Sequence, residues 1–138
     1  MPKRDTFHDT VKQALIKDGW TITHDPFIIS FGPHRLFVDL GAEHVLAAEK
    51  SGKYIAIEIK SFLSPSPVND LENALGQYVL YHSLLKRSDP DRELYLAVPL
   101  EIYESLFIVP LGQIAVEDYG LKLIVFDPAQ EVIEIWIA

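Results

Sequence analysis

The chain has no cysteine among its 138 residues. A disulfide framework, a thiol nucleophile and a cysteine-ligated zinc site are therefore excluded. Long apolar runs are also missing, since none approaches the roughly 20 residues that a membrane-spanning helix needs. The first residues lead into an amphipathic pattern rather than the apolar core of a signal peptide. We expect a cytoplasmic protein that does not associate with membranes.

Positive charge is scarce: 12 Lys and Arg stand against 20 Asp and Glu, which gives a formal net charge of −8. Because a freestanding nucleic-acid binder usually carries a basic patch, this composition argues against tight binding of DNA by the chain alone. Carboxylates clustered around a metal ion would explain part of the excess, and a basic partner could supply phosphate contacts. The length and 49% apolar residues predict a single folded domain over residues 1–138.

The sequence is strongly apolar at 53–60, Lys-Tyr-Ile-Ala-Ile-Glu-Ile-Lys. The period of two in a strand places three isoleucines on one face and Glu58 and Lys60 together on the other. A charge at the end of a buried strand is costly unless it has a partner. Such a pair has two interpretations, and the functional one is a metal site, in which Glu58 binds a hard divalent cation and Lys60 orients water or stabilises phosphate charge. The alternative is an ordinary amphipathic edge strand.

The residues before this strand predict a packing helix followed by several strands. Asp5 or Thr6 can cap a helix that ends at Asp18-Gly19. We expect its polar residues to be solvated, with a position at the edge of a site as the alternative; they are His8, Asp9 and Lys12. Strands are predicted at 20–23, 27–31 and 35–40, so that Asp39 lies in or at the end of an apolar strand.

A two-residue turn at Ser51-Gly52 predicts a hairpin that joins extended residues 43–49 to the strand 53–60. Pairing Lys50 with Lys53 would place Glu43 opposite Lys60 and Val45 opposite Glu58. Asp39 lies four residues before Glu43 and therefore on the same face of its strand, but a bulge at Gly41-Ala42 could move it toward Glu58 or away. Asp39 and Glu43 therefore both remain candidates for the first acidic ligand.

After a loop with two prolines, Asn69 or Asp70 is predicted to cap a helix that runs to about Arg87. Its core stripe is Leu71, Ala74, Leu75, Tyr78, His82 and Leu85, which favours a hydrogen-bonded core histidine over a metal ligand for His82. Gln77 and Tyr81 lie on the flank of that stripe, where a side chain can border a cleft. An apolar strand at 94–98, short helices from Pro99 and Pro110, and strands at 121–126 and 131–137 complete the prediction.

This order of elements over residues 5–98 resembles the core of the restriction-endonuclease-like PD-(D/E)xK superfamily. Within that superfamily, four segments resemble the XisH family over nearly the whole chain: Ala-Leu-Ile-Lys-Asp-Gly-Trp (14–20), Ala-Ala-Glu-Lys (47–50), Ile-Glu-Ile-Lys-Ser-Phe (57–62) and Leu-Gly-Gln-Tyr-Val-Leu-Tyr (75–81). The resemblance implies an α/β (α+β) fold with a mixed central β-sheet flanked by helices.

The resemblance also implies roles for individual residues. Asp39 and Glu58 correspond to the metal-binding carboxylates, Lys60 to the catalytic lysine and Gln77 to the helix residue beside the site; Glu43 is the alternative ligand. One departure is that Val38 stands where the superfamily motif has proline. The implied reaction is phosphodiester hydrolysis of DNA with Mg²⁺ or Mn²⁺.

The XisH family is known as a cyanobacterial factor that controls developmental excision of a DNA element, together with a second small protein, XisI. The resemblance leaves two hypotheses: a metal-dependent DNA endonuclease, or a non-catalytic regulatory or partner subunit that keeps the nuclease fold. A structural domain with an incidental Glu-x-Lys is a third. We also expect a homodimer or a complex with the partner, for which Tyr103, Phe107 and Trp136 offer aromatic surface.

Overall fold

The computed structural model describes residues 5–45 and 52–138. The helices are α1 (His8–Lys17), α2 (Pro67–Ser88), α3 (Leu100–Ile102) and α4 (Pro110–Tyr119), with a π-helical segment at Tyr103–Phe107 between α3 and α4. The strands are β1 (Thr21–His24), β2 (Phe27–Phe31), β3 (His34–Val38), β4 (Leu40–Val45), β5 (Gly52–Ile59), β6 (Arg92–Pro99), β7 (Leu123–Asp127) and β8 (Val132–Ile137). Among the described helices, none has the length and apolar character needed to cross a bilayer.

Six of the strands form one mixed sheet in the order β1-β4-β5-β6-β7-β8, and β2 pairs with β3 in a separate hairpin. The β5–β6 and β6–β7 pairs are parallel, and the outer pairs are antiparallel. The crossover between β5 and β6 is α2, as parallel neighbours require. The predicted mixed sheet flanked by helices is therefore confirmed.

Helix α2 begins earlier than predicted, because Ser66 caps it rather than Asn69 or Asp70. The Ser66 hydroxyl accepts the backbone N–H of Asn69 at 3.2 Å. Pro67 then occupies the first helical turn, where its missing N–H leaves no backbone donor unsatisfied.

Strand β5 is buried on both faces, as central strands of parallel sheets usually are. Its isoleucines pack with α1 residues Val11 and Leu15 on one side of the sheet. Ala56 packs on the other side with α2 residues Ala74 and Tyr78. The alternation within β5 therefore points Glu58 toward the α2 side, near the end of the strand.

The predicted hairpin register is wrong. Leu40 pairs with Ile57, and Glu43 pairs with Tyr54 rather than Lys60. Gly52 already belongs to β5, and the rest of the expected turn, including the segment 47–50, lies outside the described residues. The observed register places Leu40 and Ala42 with the β5 isoleucines in the α1-side core. Burial of these apolar faces, rather than a tight turn, sets the pairing.

Two predicted burial assignments are also wrong. On α2, His82 is exposed rather than part of the core, and its ring stacks on Tyr78 at 6.0 Å between centroids. Tyr81, predicted on the flank of the helix where a side chain can border a cleft, is buried. The buried stripe follows Ala74, Tyr78, Tyr81 and Leu85, one position off the predicted path near its end. Phe107, expected at an oligomer surface, is fully buried in the core.

Candidate functional site

A cavity of about 400 Å³ opens at the end of β5. Its lining residues come from the start of the chain, the β2–β3 hairpin, β5 and α2: Asp5, Leu36, Phe37, Asp39, Glu58, Ile59, Lys60, Gln77 and Tyr81. Four of the five residues predicted for the site are therefore together, namely Asp39, Glu58, Lys60 and Gln77. The end of β5 lies beside the end of its parallel neighbour β6, at the carboxyl edge of these strands, where ligands bind in many sheets of this kind.

Asp39 lies between β3 and β4, and continuing the β4–β5 register by one pair places it opposite Glu58. Its Oδ2 atom accepts the backbone N–H of Ile59 at 2.7 Å. This short bond to a charged acceptor fixes the carboxylate against the end of β5. The bulge that could have displaced Asp39 does not interrupt the β4–β5 pairing; the irregularity lies in the β1–β4 pair, between Ile22 and His24.

Glu58 is only 5% exposed, and within the described structure its Oε1 atom has no hydrogen-bond partner. The Lys60 ammonium lies 3.8 Å from Glu58 Oε2, too far for a good hydrogen bond. A buried carboxylate oxygen without a donor is energetically costly. The strand therefore holds an acidic oxygen that is available to a ligand.

Burial and the neighbouring carboxylate of Asp39 raise the pKa of Glu58 to about 8, although the Lys60 ammonium acts in the opposite direction. Burial also raises the pKa of Asp39, and the hydrogen bond from the Ile59 amide partly offsets this effect. Two carboxyls in contact in a poorly solvated place do not both ionise easily. At neutral pH, the pair without a cation therefore retains a proton.

This proton predicts a pH-dependent stability. The pKa of Glu58 is raised from 4.5 to about 8 in the folded chain. Between pH 4.5 and pH 8, the folded chain therefore keeps a proton on Glu58 that the unfolded chain has released. In the absence of divalent cations, the free energy of unfolding should fall as pH rises from 5 to 8, by up to about 1.4 kcal/mol per pH unit. Urea denaturation across this range measures the slope, and Glu58→Gln should flatten it.

A cation that replaces the proton should reverse this trend, so Mg²⁺ should raise the melting temperature more at pH 8 than at pH 5. Melting curves at the two pH values, with and without Mg²⁺, provide the comparison. An equal shift at both would contradict a shared Asp39–Glu58 site.

Helix α2 contributes two polar groups to the opposite wall. The Oε1 atom of Gln77 is buried and has no hydrogen-bond partner among the described residues. Burial and the nearby carboxylates of Glu58 and Asp39 raise the pKa of Tyr81 to about 12, so its hydroxyl remains a proton donor at neutral pH. Both residues were expected on the flank of the helix, but only the packing of α2 on the sheet shows that Tyr81 reaches the cavity.

Asp5 is a lining residue that the sequence did not identify. The sequence predicts only a cap for α1 at this position; in the structure, Asp5 Oδ1 accepts the N–H of Phe7 at 2.9 Å and Oδ2 accepts the N–H of Ser61 at 3.1 Å. Asp5 therefore ties the start of α1 to the residues that follow β5. Its sequence signal, an acid before an amphipathic helix, is the same as that of an ordinary cap.

His8 is buried, at 4% exposure, so the expectation of a solvated residue is wrong. Its Nε2 lies 2.7 Å from Asp25 Oδ1, and the Lys12 ammonium lies 2.9 Å from Asp25 Oδ2. These basic groups lower the pKa of Asp25, although burial opposes them. His8 is not among the residues that line the cavity at the end of β5.

Glu43 does not join the site. It lies four residues along the chain from Asp39, about 13 Å in an extended strand, and it pairs with Thr21 and Tyr54. Across residues 5–45 and 52–138, no group of three or more His, Cys, Asp or Glu side chains is arranged to hold a metal ion. The cavity therefore presents two facing acids, Asp39 and Glu58, with Lys60 beside them, while the third lining acid, Asp5, accepts backbone N–H groups.

The comparisons with known proteins agree with one another. A family model described as XisH protein matches residues 1–134. The crystal structure of an XisH family protein from Nostoc punctiforme PCC 73102 has a TM-score of 0.88 at 41% identity, covering 97% of this chain and 100% of that one. The structure of an fdxN element excision controlling factor protein from Anabaena variabilis has a TM-score of 0.87 at 43% identity, covering 98% and 100%. No curated protein matches the chain.

Proposed function

Because the chain belongs to the XisH family, we propose that it controls excision of a DNA element through a metal-dependent site that hydrolyses phosphodiester bonds. The first part of the proposal rests on the relative from Anabaena variabilis, which is named as an excision controlling factor. The second part, including the assignment to the PD-(D/E)xK superfamily, rests on the cavity at the end of β5. DNA is the proposed substrate, and an XisI-like protein is the proposed partner.

The observation that carries the catalytic part is the unpartnered Oε1 atom of Glu58, buried beside the carboxylate of Asp39. A divalent cation would give this oxygen the positively charged partner that it lacks. Carboxylate oxygens are the ligands that Mg²⁺ and Mn²⁺ prefer. The donor set therefore fits such an ion, with Asp39 and Glu58 as its protein ligands.

When bound, Mg²⁺ would supply Lewis-acid stabilisation of a phosphate oxygen and a water of lowered pKa. The chain's own residues contribute position and charge. Lys60, whose side chain is 27% exposed, can reach a phosphate at the mouth of the cavity and stabilise negative charge there. Gln77 and the protonated Tyr81 hydroxyl can donate hydrogen bonds from α2, and the Ile59 amide keeps Asp39 in place.

Calorimetric titration with Mg²⁺ or Mn²⁺ tests the proposal. Wild type should bind one ion, and Glu58→Gln should weaken binding at least tenfold, because it removes a charged ligand while keeping the side-chain shape. Glu43→Gln is the matched control and should bind like wild type, since that residue lies along β4 away from the cavity. Equal binding by wild type and Glu58→Gln would remove the metal site from the proposal.

A second candidate function is a non-catalytic regulatory or partner subunit of an excision complex. Two observations favour it. The net charge of −8 opposes an approach to DNA without a basic partner. Among the described residues, the site has two facing acids and no group of three or more metal-binding side chains. Homodimer formation and binding of a partner remain predictions. Of the residues proposed for such contacts, Tyr103 and Trp136 are half-buried and retain some accessible surface.

A further inference from the structure

A second cavity, of about 510 Å³, opens near the start of β5, at the other end of that strand from the Asp39–Glu58 site. It lies on the α1 side of the sheet, where Ile55 and Tyr95 belong to the core. Both tryptophans of the chain, Trp20 and Trp136, line it. The site proposed above uses none of these residues.

Aromatic rings in mutual contact form the walls of this cavity. The rings of Trp20 and Trp136 are stacked, with centroids 5.5 Å apart and planes inclined by 28°. Tyr95 meets Trp136 edge-on at 5.2 Å, and His44 meets Trp20 edge-on at 5.3 Å. Both indoles remain half-buried rather than fully enclosed. The rings are therefore held in place by each other, with indole surface left for a ligand.

The charged lining residues are mainly acidic. Asp18, Asp91 and Glu93 contribute carboxylates, and Lys53 contributes the single ammonium among the lining residues. Glu93 also accepts a hydrogen bond from the Tyr95 hydroxyl at 3.2 Å and lies 3.4 Å from the Lys122 ammonium. Asp18 stands at the C-terminal end of α1, where the helix dipole adds negative potential. A cation bound here would relieve this accumulation of negative charge.

We propose that this cavity binds the guanidinium group of an arginine side chain presented by a partner protein. Aromatic faces attract cations through their quadrupole, and tryptophan does so most strongly. A planar guanidinium can stack on an indole while its N–H groups reach carboxylates, a combination that a compact ammonium achieves less well. The charge of the lining argues against anions, including nucleic-acid phosphates. An acidic chain that takes part in a complex would thus have a specific acceptor for a basic partner.

Tryptophan fluorescence offers a direct test, because both fluorophores line the cavity. The probe is N-acetylarginine amide, and N-acetylcitrulline amide is the uncharged control of nearly the same shape. Wild type should show a saturable change at about 1 mM of the arginine probe, as expected for a ligand of this size. Citrulline should bind at least fivefold more weakly, and N-acetyllysine amide at least threefold more weakly. Saturation by citrulline or lysine at the same concentrations as arginine would overturn the proposal.

Variants establish where the probe binds. Asp91→Asn removes an exposed carboxylate of the lining and should weaken arginine binding at least threefold. Glu134→Gln, which neutralises an exposed carboxylate of β8 outside the lining, should leave the titration unchanged. Unaltered thermal melting should show that both variants are folded. Equal binding by Asp91→Asn and wild type would refute the assignment, as would the absence of any fluorescence change up to 50 times the expected concentration.

Discussion

Replacing Lys60 by methionine should lower cleavage of DNA by two orders of magnitude or more, while metal binding survives or becomes tighter. The ammonium stands 3.8 Å from Glu58 Oε2, so its removal leaves the acidic oxygens free of a competing positive charge. The same change removes a group that would stabilise charge on the phosphate during reaction, and loss of one such group typically costs 10²–10³ in rate.

A purely structural ion pair predicts a different outcome for the same substitution. Lys60→Met would then leave Glu58 buried without a partner and would lower the stability of the fold, but DNA cleavage and metal binding would show no specific change. Nicking of supercoiled and branched DNA with Mg²⁺ or Mn²⁺ separates the two cases, with and without the partner protein. Lys86→Met, on the exposed face of α2, removes the same charge away from the cavity and should cleave like wild type.

If wild type cleaves no substrate faster than Lys60→Met does, the catalytic part of the proposal is rejected. The regulatory-subunit hypothesis then accounts for the acidic composition and the pair of carboxylates without catalysis. Under the catalytic hypothesis, Glu58→Gln should weaken metal binding at least tenfold and abolish cleavage, whereas Lys60→Met should abolish cleavage alone.

Gly112→Ala should destabilise the fold by about 3 kcal/mol, at the upper end of the usual range for overpacking. Gly112 lies in the first turns of α4, buried against the end of the π-helical segment. A Cβ atom at this position would overlap the carbonyl oxygen of Leu106 and lie 2.5 Å from Cα of Phe107. Because these are backbone atoms next to a fully buried phenylalanine, the clash can be relieved only by moving α4.

Gly76→Ala provides the matched control. Gly76 is an exposed residue inside α2, and nothing lies within 4 Å of the position that its Cβ would take. Alanine is favoured over glycine in helix interiors, so this variant should be more stable than wild type by about 0.5–1 kcal/mol. Urea denaturation of both variants measures the contrast. A Gly112→Ala protein as stable as wild type would show that α4 does not pack closely on the preceding segment.

Several features of the fold could be predicted from the sequence because they depend on residues close together in the chain. The alternation in β5 placed Glu58 and Lys60 on one face, and parity placed Asp39 in phase with them. The helical period gave α2 with Gln77 at its flank, and the proline and glycine positions gave approximate limits for α4. Each of these inferences needs only the local geometry of a strand or helix.

The identity of the acid opposite Glu58 was decided by the tertiary structure. The period of two in a strand allowed either Asp39 or Glu43 to share the face of Glu58. A tight turn at Ser51-Gly52 predicted a register six residues away from the one observed. The actual register follows from which apolar residues of β4 and β5 are buried together beneath α1. That outcome depends on a helix remote in sequence, so the local turn signal could not determine it.

Burial of polar groups was likewise settled by packing between distant elements. His8 belongs to the polar side of α1 by helical period, yet it is buried, and its Nε2 lies 2.7 Å from Asp25 in the turn between β1 and β2. Tyr81 reaches the cavity because α2 packs on the face of the sheet that carries Glu58. Trp20 and Trp136, 116 positions apart, stack because α1 and β8 meet. Local periodicity determined which face of its helix or strand each residue occupies. The side chains that it meets there come from segments distant in sequence, and only the tertiary structure brings those segments together.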